Sequence, residues 1–125
     1  MDSETKTISL NELKELIDDK KNYILIDVRN KDELSFGVIP TSVNIPLPEF
    51  EFSFELNDDE FKKKFGFPKI KKDDNLIFYC RTGSRSEMAT KFAIQKGFTN
   101  SKNYAGSIWE WSEHDPNVKR YGPGA

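Results

Sequence analysis

Leu76-Ile77-Phe78-Tyr79-Cys80-Arg81-Thr82-Gly83-Ser84-Arg85-Ser86 passes from a continuous apolar run into a short polar loop carrying two arginines. An unbroken run of aromatic and branched residues suits a strand buried on both faces better than an alternating, half-exposed one. Met88, Ala89, Phe92 and Ala93 follow at helical spacing, and Gly97 stops the pattern. Strand, glycine turn and helix in this order make the repeating unit of an α/β domain with a central parallel sheet, which binds its ligands beyond the carboxyl ends of the strands. Cys80, the single cysteine of the chain, stands at such an end.

The flanking sequence supports the same architecture. Ser9-Leu10-Asn11-Glu12 has the form of a capping box, and Leu10, Leu13, Leu16 and Ile17 continue it as an amphipathic helix over residues 10–19. Residues 23–28, Tyr23-Ile24-Leu25-Ile26-Asp27-Val28, read as a second buried strand, and residues 29–36 as a short helix closed by Gly37. Residues 39–46 leave room for only a brief strand between prolines. Glu49-Phe50-Glu51-Phe52-Ser53-Phe54-Glu55-Leu56 alternates polar and apolar, and reads equally as strand or irregular loop, its aromatic stripe serving as core cover. Asn57-Asp58-Asp59-Glu60 caps a short helix that carries Phe61 and Phe65 and stops at Gly66. Residues 101–104 form a last strand and residues 107–111 a last helix. The expected organisation is one domain over residues 9–115, with a polar arm at 1–8 and a tail at 116–125 that is loose from Pro116 and frayed from Tyr121.

The loop is suited to thiolate chemistry. A free thiol has a pKa of about 8.5, and lowering it by two units takes roughly 2.7 kcal/mol of differential stabilisation. Converging turn amides, the positive end of the following helix, and Arg81 and Arg85 are the available sources. Gly83 permits the backbone angles of a tight cradle, and Thr82 and Ser84 add hydroxyl donors. Ser84-Arg85-Ser86-Glu87 also has capping-box form. Asp27 and Arg29, at the end of a strand, read as structural, bonding turn amides or pairing with Glu33. Trp109 and Trp111 read as core or rim packing, and His114, the only histidine, as a surface residue.

Bulk composition excludes several classes. Nineteen basic against 21 acidic residues give a net charge of −2, so no global field draws in nucleic acid or an acidic membrane. No apolar run approaches a bilayer-spanning length and the amino terminus lacks a secretory pattern, so a soluble, cytoplasmic protein is expected, with a mitochondrial address as the alternative. A lone cysteine leaves no disulfide framework, no cysteine-built metal site and no internal resolving thiol; neither metal nor cofactor is expected. Any group that Cys80 takes up must therefore pass to another molecule.

Three ordered segments together resemble the rhodanese family. Cys80-Arg81-Thr82-Gly83-Ser84-Arg85-Ser86 is similar to its active-site loop. Ile26-Asp27-Val28-Arg29 with Gly37-Val38-Ile39-Pro40-Thr41-Ser42-Val43-Asn44-Ile45-Pro46 resembles its opening signature, and Asn103-Tyr104-Ala105-Gly106-Ser107-Ile108-Trp109-Glu110-Trp111 its closing one. Three positions depart from the pattern: Val38 stands where many members have histidine, Thr41 where many have glycine, and Ala105 replaces the first of a glycine pair.

The resemblance implies a rhodanese-like parallel sheet flanked by helices on both faces, and a thiosulfate sulfurtransferase. Cys80 would carry sulfane sulfur as a persulfide, the amides of Arg81, Thr82, Gly83, Ser84 and Arg85 would cradle it, and Arg81 and Arg85 would attract the thiosulfate sulfonate. The acceptor would be a thiol such as glutathione, or cyanide in vitro, with a protein acceptor also open. Two alternatives stand beside it. A cysteine-loop phosphatase or arsenate reductase holds one more residue between cysteine and arginine, making a wider bowl; a non-catalytic or sulfur-relay interaction domain would share the fold.

Overall fold

The computed structural model describes residues 6–122. Its centre is a four-stranded sheet of order β2-β1-β3-β4, built from β1 (Ile24–Asp27), β2 (Val43–Asn44), β3 (Leu76–Tyr79) and β4 (Ser101–Asn103). Every pairing is parallel, with Ile26 opposite both Val43 and Phe78, and Phe78 opposite Asn103. β1 therefore lies between the strand that follows it and the later β3, and the crevice beyond the ends of β1 and β3 is a topological switch point.

Alternation along the strands divides the core in two. Ile26 and Val28, with Leu76, Phe78 and Cys80, face α2 (Leu47–Ser53), α3 (Asp58–Phe65) and α4 (Ser84–Gln95). Leu25, Ile77 and Tyr79 face α1 (Leu10–Asp19) and α5 (Ser107–Trp111) through Leu13, Ile108 and Trp111. Helices thus cover both faces, as the continuous apolar runs predicted. The capping boxes at Ser9–Glu12 and Asn57–Glu60 both form. Residues 31–36 are helical in the tighter 3-10 form (Lys31–Phe36), ending at Gly37.

The segment 49–56, expected as strand or irregular loop, is corrected in its first part: residues 49–53 belong to α2, and only residues 54–56 are irregular. The alternating pattern holds a second period, because Phe50 and Phe54 are also spaced i, i+4 and so share one face of a helix. Pro48 fits the first turn, where no intrahelical donor is needed. Phe50 packs against Phe54 and Phe78 at ring separations of 5.1 and 5.2 Å, whereas Phe52 points outward, 49% exposed. The stripe is core cover at two positions and surface at the third.

Both ends are more integrated than expected. Ile8 is buried and its amide bonds to the Asn103 carbonyl at 3.1 Å, so part of the predicted arm extends the β4 edge. The predicted loose tail is docked as far as Gly122: Val118 is buried, the Lys119 amide donates to the Phe36 carbonyl at 2.8 Å, and the Tyr121 ring stacks on Phe36 at 4.5 Å. Residues 1–5 and 123–125, which complete the arm and the tail, lie outside the described residues.

Thr41 has φ of 74°, a left-handed conformation that a β-branched residue adopts only under strain. Its hydroxyl pairs with that of Tyr23 at 2.9 Å on the surface. Relief of strain of about 1–2 kcal/mol outweighs loss of one exposed hydrogen bond. Thr41→Gly is expected to raise stability by about 1 kcal/mol, or roughly 4 °C in Tm; calorimetry showing a lower Tm would contradict this.

Candidate active site

Cys80 follows the last residue of β3 and its side chain falls on the α4 face of the sheet, because the two-residue alternation continues one step past the strand. The loop from Arg81 to Gly83 turns back over the sulfur, and Gly83 is the residue before α4. Its φ is 103°, and an added Cβ would lie 2.4 Å from the Ala105 carbonyl oxygen. Only glycine fits, for the angle and for the space.

The loop's peptide groups are oriented from behind. The amides of Ile108 and Trp109, in the first turn of α5, donate to the carbonyls of Cys80 and Arg81 at 3.0 Å each. With the Arg81 carbonyl drawn toward α5, the Thr82 N–H of the same peptide faces the other way, toward the thiol. The Gly83 amide donates to Sγ at 3.1 Å, and the Ser86 hydroxyl lies 3.5 Å from it. Burial alone pushes the Cys80 thiol up, but the Ser86 hydroxyl and the amides of Ser86, Gly83 and Thr82 together outweigh it, leaving the pKa below that of a free cysteine. Cys80 is only 1% exposed, so the stabilisation acts on a sulfur largely removed from water.

Ser107 anchors the start of the loop. Its hydroxyl accepts from the Cys80 amide at 3.1 Å and donates to the Tyr104 carbonyl at 2.9 Å. This buried serine has φ of 54°, a left-handed strain held beside the thiol. Asn103 donates to the Gly83 carbonyl at 3.3 Å, fixing the far end of the turn.

Arg85, in the first turn of α4, extends to Glu33 of the 3-10 helix and forms a two-pronged ion pair, Nη1 to Oε1 at 2.6 Å and Nη2 to Oε2 at 2.9 Å. The Arg85 pair, ahead of the opposing effect of burial, holds the Glu33 carboxyl down at about 2, so it stays ionised throughout the neutral and mildly acidic range. Glu33 in turn raises the Arg85 pKa, with a smaller contribution from Cys80. Two of the five guanidinium N–H groups of Arg85 serve Glu33, which leaves donors for an incoming anion. Arg81 takes a different position. Its Nη1 donates to the Tyr121 carbonyl at 2.7 Å, and the guanidinium lies 5.6 Å from the Tyr121 ring and 6.0 Å from Trp109.

Asp27 and Arg29 pair with one another in the crevice. Arg29 is fully buried, and its Nε and Nη2 donate to the Asp27 carboxylate at 2.7–3.1 Å, while its own amide donates to Asp27 Oδ1 at 2.9 Å. The structural reading of both residues holds, with the turn amide as predicted. The Glu33 carboxylate is a correction, since it belongs to Arg85, and Arg29 reaches only the Glu33 carbonyl, at 3.4 Å.

The structure brings Cys80, Thr82, Gly83 and Arg85 together around the thiol, and puts Arg81 at the rim between Trp109 and Tyr121. Ser84 is an exposed first residue of α4, and its expected capping role is not seen because Gly83 occupies the cap position. Trp111 is core, its Nε1 donating to Asp115 at 2.9 Å, and His114 is on the surface. Sequence reasoning missed Ser86, Ser107, Glu33 and Tyr121 as parts of the site. Ser86 was legible from its place one turn into the helix behind the thiol; the others depend on long-range packing. Among the described residues no group of His, Cys, Asp and Glu is arranged to hold a metal ion, and no helix is long and apolar enough to cross a membrane.

A family model, the rhodanese-like domain, matches residues 9–114, which takes in the thiol, its loop and the α5 backing. The chain belongs to the rhodanese family. Among its relatives, a human thiosulfate:glutathione sulfurtransferase is 36% identical over 110 residues, covering 87% of this chain and 95% of that protein. A thiosulfate:glutathione sulfurtransferase of Saccharomyces cerevisiae is 40% identical over 93 residues, covering 74% of this chain and 67% of that one. Some relatives are longer: the chain spans 66% of one from Schizosaccharomyces pombe. In three dimensions this rhodanese resembles the human single-domain sulfurtransferase TSTD1, with a TM-score of 0.84 at 35% identity over 90% of this chain and 99% of that one. The rhodanese-like architecture expected from the three sequence segments is the one observed.

Proposed function

We propose that this rhodanese is a thiosulfate sulfurtransferase working through a Cys80 persulfide. The Cys80 thiolate attacks the outer sulfur of thiosulfate, the S–S bond breaks, and its electron pair leaves with sulfite. An acceptor thiolate then attacks the outer sulfur of the persulfide, takes that sulfur and returns the pair to Cys80 as thiolate. Cyanide in place of the thiol yields thiocyanate. The names of the human and yeast relatives point to glutathione as the acceptor. The cytoplasm is the proposed compartment; a yeast relative named as a mitochondrial thiosulfate sulfurtransferase supports the mitochondrion as the alternative.

The observation that carries this reading is the Gly83 amide donating to Sγ, with the Ser86 hydroxyl beside it, in a cradle that closes on one sulfur atom. The same donors suit the terminal sulfur of a persulfide, which is also an anion. Only Arg81, Thr82, Gly83 and Ser84 separate Cys80 from Arg85, one residue fewer than the wider bowl of cysteine-loop phosphatases and arsenate reductases, which favours sulfur over a tetrahedral oxyanion. An intact thiol and an ionised Arg85 beside it favour an enzyme or relay over an inert module.

Arg85 is proposed to attract the sulfonate end of the donor. Arg85→Ala is expected to raise the thiosulfate KM by about tenfold or more, with a much smaller change in Tm, because the side chain is part-exposed and serves the anion more than the core. Steady-state kinetics with an unchanged KM would remove Arg85 from donor binding.

A further inference from the structure

We propose that Tyr121 is a positioning residue for anion capture, fixing both loop arginines from the carboxyl-terminal segment. This rests on the reading that those arginines draw in the donor anion. Tyr121 touches Arg81 directly and reaches Arg85 through Glu33. Its carbonyl receives Arg81 Nη1 at 2.7 Å. Its hydroxyl accepts from Arg29 Nη1 at 3.0 Å and donates to Glu33 Oε2 at 2.9 Å, the same oxygen that holds Arg85 Nη2. One side chain therefore links the buried Asp27–Arg29 pair to the Glu33–Arg85 pair at the rim.

The geometry is held from outside. The Tyr121 ring stacks nearly parallel on Phe36, at 4.5 Å and 10°, and the Arg29 and Arg81 guanidiniums lie 5.7 and 5.6 Å from its centre. Val118 and the Lys119 amide pin the segment just before it. Arg and Glu side chains have many rotamers, and a fixed anion site needs most of them removed before the anion arrives. For Glu33 the Asn30 amide, bonded to Oε1 at 2.9 Å, and the Tyr121 hydroxyl on Oε2 remove them together, and through Glu33 for Arg85; the carbonyl does so for Arg81.

Iodoacetate and iodoacetamide are equal in size and meet the same barrier to Cys80, but only the first is an anion, so the ratio of their alkylation rates reads anion capture apart from sulfur transfer. Tyr121→Ala, which removes the hydroxyl and the ring stack that docks the segment, is expected to lower the iodoacetate-to-iodoacetamide ratio by about fivefold, and Tyr121→Phe, which keeps the ring and loses only the hydroxyl, by about twofold to threefold. The iodoacetamide rate should stay within about twofold of the parent, and the thiosulfate KM should rise in the same order while kcat changes little. If Tyr121→Ala fails to fold, Tyr121→Phe decides. An unchanged ratio in the Tyr121 variants, with a lowered one in Arg85→Ala, overturns the role of Tyr121 and leaves the arginine reading standing. An unchanged ratio in Arg85→Ala overturns both. An equal fall with both reagents shows a disturbed thiol rather than lost anion capture, and also overturns the proposal.

Discussion

Cys80→Ser is expected to abolish sulfur transfer, lowering kcat/KM for thiosulfate by at least about 10³-fold while leaving the fold intact. Serine preserves the shape of the side chain and still offers an acceptor to the Gly83 amide. It cannot form a persulfide, and its hydroxyl is not ionised by donors sufficient to lower a thiol. The parent should give parallel double-reciprocal lines with thiosulfate and either cyanide or glutathione, since donor and acceptor meet the enzyme in separate steps. The pH profile follows from the depressed thiol pKa. The thiolate, and the activity that depends on it, is fully present above the ordinary thiol range and persists below it, being lost only as pH falls through the lower folded-state value. Full activity in Cys80→Ser, or intersecting lines in the parent, would contradict the double-displacement route.

Arg29→Met is expected to be the most destabilising of the substitutions considered, by about 3–5 kcal/mol. Arg29 is completely buried and Asp27 is 1% exposed, so removing the guanidinium leaves a buried carboxyl group with no cation beside it. Burial alone would lower the Arg29 pKa; the hydrogen bonds and charge of Asp27, with the Tyr121 hydroxyl, reverse the sign and keep it firmly protonated. The loss extends further, since Arg29 Nη2 also donates to the Gly37 carbonyl at 2.9 Å. The double variant Asp27→Leu/Arg29→Met removes the stranded carboxyl group and should regain part of the stability, but not all, because the Gly37 carbonyl and Tyr121 hydroxyl still lose their donor. Urea denaturation of both variants measures this; a single variant as stable as the parent would contradict it.

What the sequence disclosed was what is local. Leu76–Tyr79 reads as a buried strand because nothing polar interrupts it, and the helix boundaries at Ser9, Asn57 and Gly66 were visible because caps are written in three or four adjacent residues. The thiol, its glycine and the arginine after it were visible for the same reason. Residues 49–56 are ambiguous in sequence because Phe50, Phe52 and Phe54 satisfy the two-residue period and, at two of three positions, the helical one; only packing against Phe78 and Phe92 selects the helix over residues 49–53. Glu33 and Tyr121 were not legible as site residues because their partners lie 52 and 88 positions away along the chain. A polar residue near the chain end looks like tail until a ring stack and a buried arginine hold it. Ser107 was hidden differently, since a serine with positive φ is recognisable only from the backbone.

The central claim is that Cys80 takes up a single sulfur atom from thiosulfate and holds it until an acceptor arrives. Intact-mass measurement after exposure to thiosulfate tests it most directly. The account predicts one added sulfur atom per chain, located on Cys80, removed by cyanide and absent from Cys80→Ser. A mass unchanged by thiosulfate, or an adduct that persists in Cys80→Ser, would contradict it.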